Sequence, residues 1–178
     1  KITKIYDLAG KTGAPVIGLI DSTGLRLQEA TDALNAFGEI YMKQTLASGV
    51  IPQITAVFGN CGGGLAIIPT LTDFTFMEEK NAKLFVNAPN ALDGNTVAKC
   101  DSASAAFHAS ESGIVDVVAK EAELLEKIRE LVALLPGNFE EEALEECEDD
   151  LNRVCAELEN CKGDTAIALS QLSDNGAF

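Results

Sequence analysis

The sequence predicts an α/β fold with a mostly parallel sheet and helices outside it, and three features carry that prediction. "PVIGLI" (Pro15–Ile20) and "IPQITAVFG" (Ile51–Gly59) are short, continuous apolar runs, as strands buried on both faces of a parallel sheet are. Glu121–Leu135 places Leu124, Leu125, Ile128, Leu131, Val132 and Leu135 on one helical stripe. Strand-like and helix-like segments alternate along the chain instead of grouping, which is the order of βα units.

In order, Lys1 to about Lys11 reads as the end of a helix with Ile2, Ile5, Tyr6 and Ala9 on one face, broken by Gly13 and Pro15 before the first strand. Asp21–Leu27 ("DSTGLRL") reads as a loop. From Gln28 to about Ser48, Ala30, Ala33, Leu34, Phe37, Ile40, Tyr41 and Leu46 recur at helical spacing, and Gly49 closes that helix. The second strand leads into the glycine loop Gly59–Gly64 ("GNCGGG") and then an apolar helix near Leu65–Leu71. "DFTFM" (Asp73–Met77), "AKLFVNA" (Ala82–Ala88) and "IVDVVA" (Ile114–Ala119) are further strand-like runs, and Pro136-Gly137 stops the helix after the last of them. Asn138–Gly163 fits either a narrow stripe of Leu144, Cys147, Leu151, Val154 and Leu158 under acidic cover or an irregular acidic linker, so the main domain is bounded at Asn138.

With 178 residues, 47% of them hydrophobic, the chain can build one sizeable core. No window has the uninterrupted apolar length of a membrane helix, and no signal-peptide pattern opens the sequence. A start at Lys1 inside a helix and a stop at Phe178 after an Asn-Gly turn signal suggest a fragment of a longer polypeptide. The net charge of −15 argues against nucleic acid as a partner, because phosphate backbones need basic surfaces. That charge lies beyond residue 65 and concentrates in "FEEEALEECEDD" (Phe139–Asp150), read as a solvated face. Five cysteines without C-x-x-C spacing and a single histidine, His108, support neither a disulfide framework nor a metal site, so a reducing cytoplasm and no metal are expected.

Each of the two informative loops comes after a strand and precedes a helix, where open α/β sheets bind ligands. Three consecutive glycines, Gly62, Gly63 and Gly64, are costly to order, so either something approaches that backbone closely or its N–H groups face a ligand. They match neither a G-x-x-x-x-G-K-[ST] phosphate loop nor a dinucleotide-binding fingerprint. An oxyanion hole fits better, since it needs donors and no ionisable side chain, while tight strand-to-helix packing explains the same glycines without chemistry.

The run from Gly13 to Met77 closely resembles the amino-terminal domain of biotin-dependent acyl-CoA carboxyltransferases, the carboxyltransferase components of propionyl-CoA carboxylase, methylmalonyl-CoA decarboxylase and glutaconyl-CoA decarboxylase. The family's D-S-G-G-A-R-I-Q-E-G lies over Asp21–Ala30, S-G-V-I-P-Q-I over Ser48–Ile54, G-P-C-A-G-G-A over Gly59–Leu65, and P-A-L-T-D-F-I-F-M over Pro69–Met77. "HASESGI" and "LPGN…DDLNR" look like the family's H-x-x-x-S-G-V and its interdomain stretch. The resemblance implies an α/β crotonase (ClpP-like) ββα superhelix within a longer two-domain chain. Residues 1–137 would be part of the acyl-CoA-binding domain, and residues 138–178 an acidic interdomain stretch leading to a carboxyl-terminal domain.

It further implies transfer of a carboxyl group between carboxybiotin, borne by a biotin carboxyl carrier protein, and the α-carbon of an acyl-CoA through an enolate. Gly63 and Gly64 match the glycine pair that would supply one donor to the enolate oxygen, and Gly24-Leu25 the step that would supply the second. Arg26 and Gly62 are candidate cofactor-binding residues. Arg26 could instead bridge to Glu29 or another acidic group, and Lys1, Lys4 and Lys11 could meet CoA phosphates or only solubilise the surface. Cys61 reads as a small core residue more than a nucleophile, and His108 as satisfying buried backbone groups more than touching substrate. Homo-oligomers, and in some members a membrane decarboxylase complex, are also implied. The sequence departs from the pattern at Thr23 for glycine, at Leu25 for alanine, and at Ala103-Ser104-Ala105 for the G-G-A before the histidine. A Thr23 forced to positive φ would be strained, and Leu25 would narrow the site. These departures leave two rivals: a diverged, non-catalytic subunit with an assembly role, and a crotonase-fold enzyme of other acyl-CoA chemistry such as hydration, which lacks paired glutamates in the two loops.

Overall fold

The structure, a computed structural model, describes residues 1–138, 140–141, 149–150 and 152–176. They fall into two compact units, Lys1–Glu142 and Ala143–Phe178. In the first unit, five strands form one sheet in which every named strand pairing is parallel. The strands are β1 (Val16–Ser22), β2 (Gln53–Gly62), β3 (Phe74–Glu78), β4 (Lys83–Phe85) and β5 (Val117–Ala119). The order is β1-β2-β3-β5, with β4 pairing β2 off this path.

β2 organises the rest. Its first half, Gln53–Val57, lies between β1 and β3, while its last residues, Asn60–Gly62, pair with β4. One strand thus serves two levels of the fold, as a superhelix of strands requires. Alternation along β2 splits the core in two. Ile54 and Ala56 pack with Phe76, Ala119 and the stripe Leu124 and Ile128 of helix α5 (Glu121–Leu134). Val57 and Cys61 pack on the other side with Met77, Leu84, Ala105 and Val115. A third cluster, Tyr6, Ala9, Ala47 and Ile51, joins α1 (Ile2–Thr12) to α2 (Ala30–Ala47). Gly13 closes α1 at φ 72°, as a left-handed helix terminus favours.

The strand and helix alternation read from the sequence is present, with several differences: "IVDVVA" is a strand only at Val117–Ala119, and Asp21 and Ser22, expected in a loop, end β1. The glycine loop begins later than its composition suggests. β2 runs on to Gly62 because β4 supplies a partner for Asn60–Gly62, so only Gly63 and Gly64 lie in the turn. The segment at Leu65–Leu71 is a 3-10 turn (Gly63–Ala66) and then one helical turn, α3 (Ile67–Thr70). "AKLFVNA" pairs only at Lys83–Phe85. His108 sits between α4 (Ala105–Phe107) and Gly113 in a π turn, with Ser104 capping α4 through Phe107 N–H at 3.2 Å.

In the second unit, Leu144, Cys147 and Leu151 of the expected acidic stripe lie outside the described residues. Val154 is exposed and Leu158 opens a single 3-10 turn (Leu158–Asn160). Helix α6 (Thr165–Leu172) is capped by Asp164, which accepts from the N–H groups of Ala166 and Ile167. Among the described residues no helix is long and apolar enough to cross a membrane.

Candidate active site

The two loops singled out in the sequence meet. A Cβ placed on Gly24 would lie 2.6 Å from the carbonyl oxygen of Gly62, closer than real Cβ atoms come. Gly24 also takes φ +109°, a conformation that L side chains rarely adopt, so both space and backbone require glycine there. A Cβ on Gly62 would in turn lie 3.1 Å from the Thr23 carbonyl oxygen and 2.9 Å from the Phe85 ring. Backbone faces backbone at this point, which brings Gly24-Leu25 next to the start of the Gly63–Ala66 turn.

The register explains why. β1 and β2 run together to Ile20↔Val57 and resume at Ser22↔Cys61, so Asp21 alone faces Phe58, Gly59 and Asn60. Such a bulge bends the strand and re-aims the residues beyond it. Asp21 Oδ1 accepts from Asn60 N–H at 3.0 Å across it, and a Cβ on Gly59 would lie 2.0 Å from that oxygen.

The glycine turn is held from behind by α2. Tyr41 donates its hydroxyl hydrogen to the Gly64 carbonyl, and Gln44 Nε2 donates to the Ile68 carbonyl at 3.3 Å. Tyr41 stacks on Phe37 with ring centroids 5.8 Å apart. Gly63 takes φ +61° with nothing within 4 Å of a Cβ, so its α-carbon faces open space. Among the described residues no side chain accepts from the N–H of Leu25, Gly63 or Gly64, whereas Gly24 N–H donates to Ser22 Oγ at 3.3 Å. Leu25 N–H is therefore the available donor of the first loop, and Gly24 serves by its lack of a side chain.

Of the other candidates, Gly62 is buried under Phe85. The Arg26 side chain is 83% exposed and pairs with Glu29 at 3.5 Å. Cys61 is fully buried, and burial pushes its thiol up to about 12 from 9.0, which suits a core thiol and not a thiolate nucleophile. His108 Nε2 lies 2.7 Å from the Leu84 carbonyl oxygen, which can only accept, and Nδ1 lies 2.9 Å from Ser112 Oγ, so the ring has partners on both sides. Lys4 and Lys11 are exposed on α1, and Lys1 is exposed just before it. Thr23 avoids strain: among the described non-glycine residues only Ala30 (φ 40°) and Asn175 (φ 52°) take positive φ. Asp21 and Gly59 open the two loops legible in the sequence and Tyr41 lies on a legible helix, but their contacts span 23 to 39 residues and obey no local period, so no sequence signal gives them a part in the site.

The family model of the carboxyl transferase domain matches residues 1–169. The chain belongs to the carboxyl transferase family. It is 38% identical to methylmalonyl-CoA decarboxylase subunit alpha of Propionigenium modestum over 100% of this chain and 37% of that protein. It is 43% identical to the propionyl-CoA carboxylase carboxyltransferase subunit of Haloferax mediterranei over 89% of this chain and 32% of that protein. The chain thus spans about a third of the length of these curated relatives. Transcarboxylase 12S, a hexamer solved with hydrolysed methylmalonyl-coenzyme A bound, superposes with a TM-score of 0.82 at 30% identity over 99% of this chain and 36% of its own. The fold is that of the crotonase-type carboxyltransferases, and this carboxyl transferase chain is a part of it.

Proposed function

We propose that this chain forms the acyl-CoA side of a carboxyltransferase, in which a carboxyl group passes between carboxybiotin and the α-carbon of an acyl-CoA. The observation that carries the proposal is the contact of Gly24 with Gly62, which sets two loop backbones side by side with the N–H groups of Leu25, Gly63 and Gly64 free of side-chain acceptors. In carboxyl transfer the acyl α-carbon acquires carbanion character and the thioester oxygen takes up negative charge. Leu25 N–H from one loop, with Gly63 or Gly64 N–H from the other, would donate to that oxygen. Donors fixed before the reaction need no reorganisation when charge develops, and removing one such donor typically costs about 3–4 kcal/mol of transition-state stabilisation.

Biotin, on a carrier protein, would carry the carboxyl group to or from the acyl-CoA. A carboxyl-terminal domain of a neighbouring subunit would complete that side, so the chain would be a component of an oligomer, and a reducing cytoplasm is the setting we propose for it. Attachment to a membrane decarboxylase complex, which the family resemblance implies for some members, is part of the same proposal. Arg26, on the surface beside the loop, would contact CoA only after releasing Glu29.

The test is a carboxyl-transfer assay of the complete polypeptide with biotin and malonyl-type CoA thioesters. Transfer that Gly63→Pro lowers at least a hundredfold supports the proposal. A folded, intact polypeptide that binds no CoA thioester would favour the assembly role, and one that hydrates an enoyl-CoA without moving carboxyl groups would favour other crotonase-type chemistry.

A further inference from the structure

We infer that Asp21 is a positioning residue that sets the separation of the two loops, an inference that rests on the carboxyltransferase reading above. Asp21 stands where the β1–β2 ladder is interrupted, alone opposite Phe58, Gly59 and Asn60. At such an interruption the strand pair loses regular backbone hydrogen bonds and with them its defined spacing. The Asp21 carboxylate restores one link: Oδ1 takes the Asn60 N–H at 3.0 Å, 39 residues away in the chain. A charged acceptor makes a bond roughly twice as strong as a neutral one.

Gly59 is what lets the carboxylate in. An ideal Cβ there would lie 2.0 Å from Oδ1 and 2.3 Å from Cγ of Asp21, so any other residue would push the group out. One step further along both strands Ser22 pairs with Cys61, and beyond that Gly24 meets Gly62. Asp21 and Gly59 therefore stand at the base of the contact, and the donors Leu25 and Gly63-Gly64 at its end. Asp21 acts through the backbone and touches no reacting atom in this arrangement.

Steady-state carboxyl transfer by the complete polypeptide with its biotin-bearing partner tests the inference, using methylmalonyl-CoA as probe. Asp21→Ala and Gly59→Ala each lower kcat at least tenfold while KM for the thioester changes less than threefold. Asp21→Asn, which keeps a side-chain oxygen acceptor, stays within threefold of the wild-type kcat. The Asp21→Ala/Gly59→Ala double variant is no more than threefold slower than the slower single variant, because both remove the same link. Should Asp21→Ala fail to fold, Asp21→Ser, too short to reach Asn60, takes its place. The inference is overturned if kcat stays within threefold of wild type in both single variants, if KM alone rises, or if Asp21→Asn is as slow as Asp21→Ala. A wild-type polypeptide that transfers no carboxyl group overturns the carboxyltransferase reading and this inference with it, whereas an active wild type with unaffected variants overturns the inference alone.

Discussion

Gly24 and Gly62 lie so close that a single methyl group on Gly24 would come within 2.6 Å of the Gly62 carbonyl oxygen. A Gly24→Ala variant must both move that carbonyl and hold φ near +109°. We predict a loss of about 1–3 kcal/mol in stability from the backbone alone. Because the loops would separate, saturable binding of a CoA thioester should be lost as well. Chemical denaturation and then thioester titration check both effects.

Tyr41 offers a milder perturbation. Tyr41→Phe keeps the stacking on Phe37 and removes only the hydrogen bond to the Gly64 carbonyl. That carbonyl keeps the Ile67 N–H as a partner, so the expected cost is about 1 kcal/mol, measured as a lower denaturation midpoint with an unchanged slope.

Ala30 is strained. It takes φ 40° and ψ −117° at the junction between the 3-10 turn Leu27–Glu29 and α2. Strain of this kind costs roughly 1–3 kcal/mol, against roughly 0.5–1 kcal/mol for the added freedom of glycine in the unfolded chain. Ala30→Gly should therefore stabilise the protein by about 1 kcal/mol in denaturant titrations. A decrease in stability would contradict the strain.

Cys61 sets a pH dependence. Its thiol is raised from 9.0 to about 12 by burial, so folding favours the neutral form. The contribution is fully present below pH 9 and is lost as pH rises from 9 toward 12, where the unfolded chain ionises and the folded one does not. Melting temperatures should fall more steeply over that window in the wild type than in Cys61→Ala. Alkylation of Cys61 by iodoacetamide at about pH 8, below the ordinary thiol range, should require unfolding.

Much of the fold was legible because its cues are local. The stripe Leu124–Leu135, the apolar run Pro15–Ile20 and the stop at Pro136 act within one or two helical turns. What the sequence hid depends on distant partners. Glycine has poor strand propensity, so Gly62 reads as loop, yet β4 holds it in β2. Thr23 looked threatening because a family glycine is replaced there, but the positive φ falls on Gly24 and the strain appears at Ala30 instead. α6 passed unread beside the acidic stretch, although Asp164 caps it as helix starts are commonly capped. Of the candidate site, the glycines and Leu25 were visible as a motif, whereas Asp21 and Tyr41 are singled out only by which backbone groups they reach.

The central claim is that amides from two loops converge on one thioester oxygen, and a crystal structure of the complete polypeptide with a non-hydrolysable acyl-CoA analogue measures this directly. The account predicts the analogue's carbonyl oxygen within about 3.1 Å of Leu25 N and of Gly63 N or Gly64 N. A carbonyl directed away from both loops, with the analogue bound in full, would contradict it.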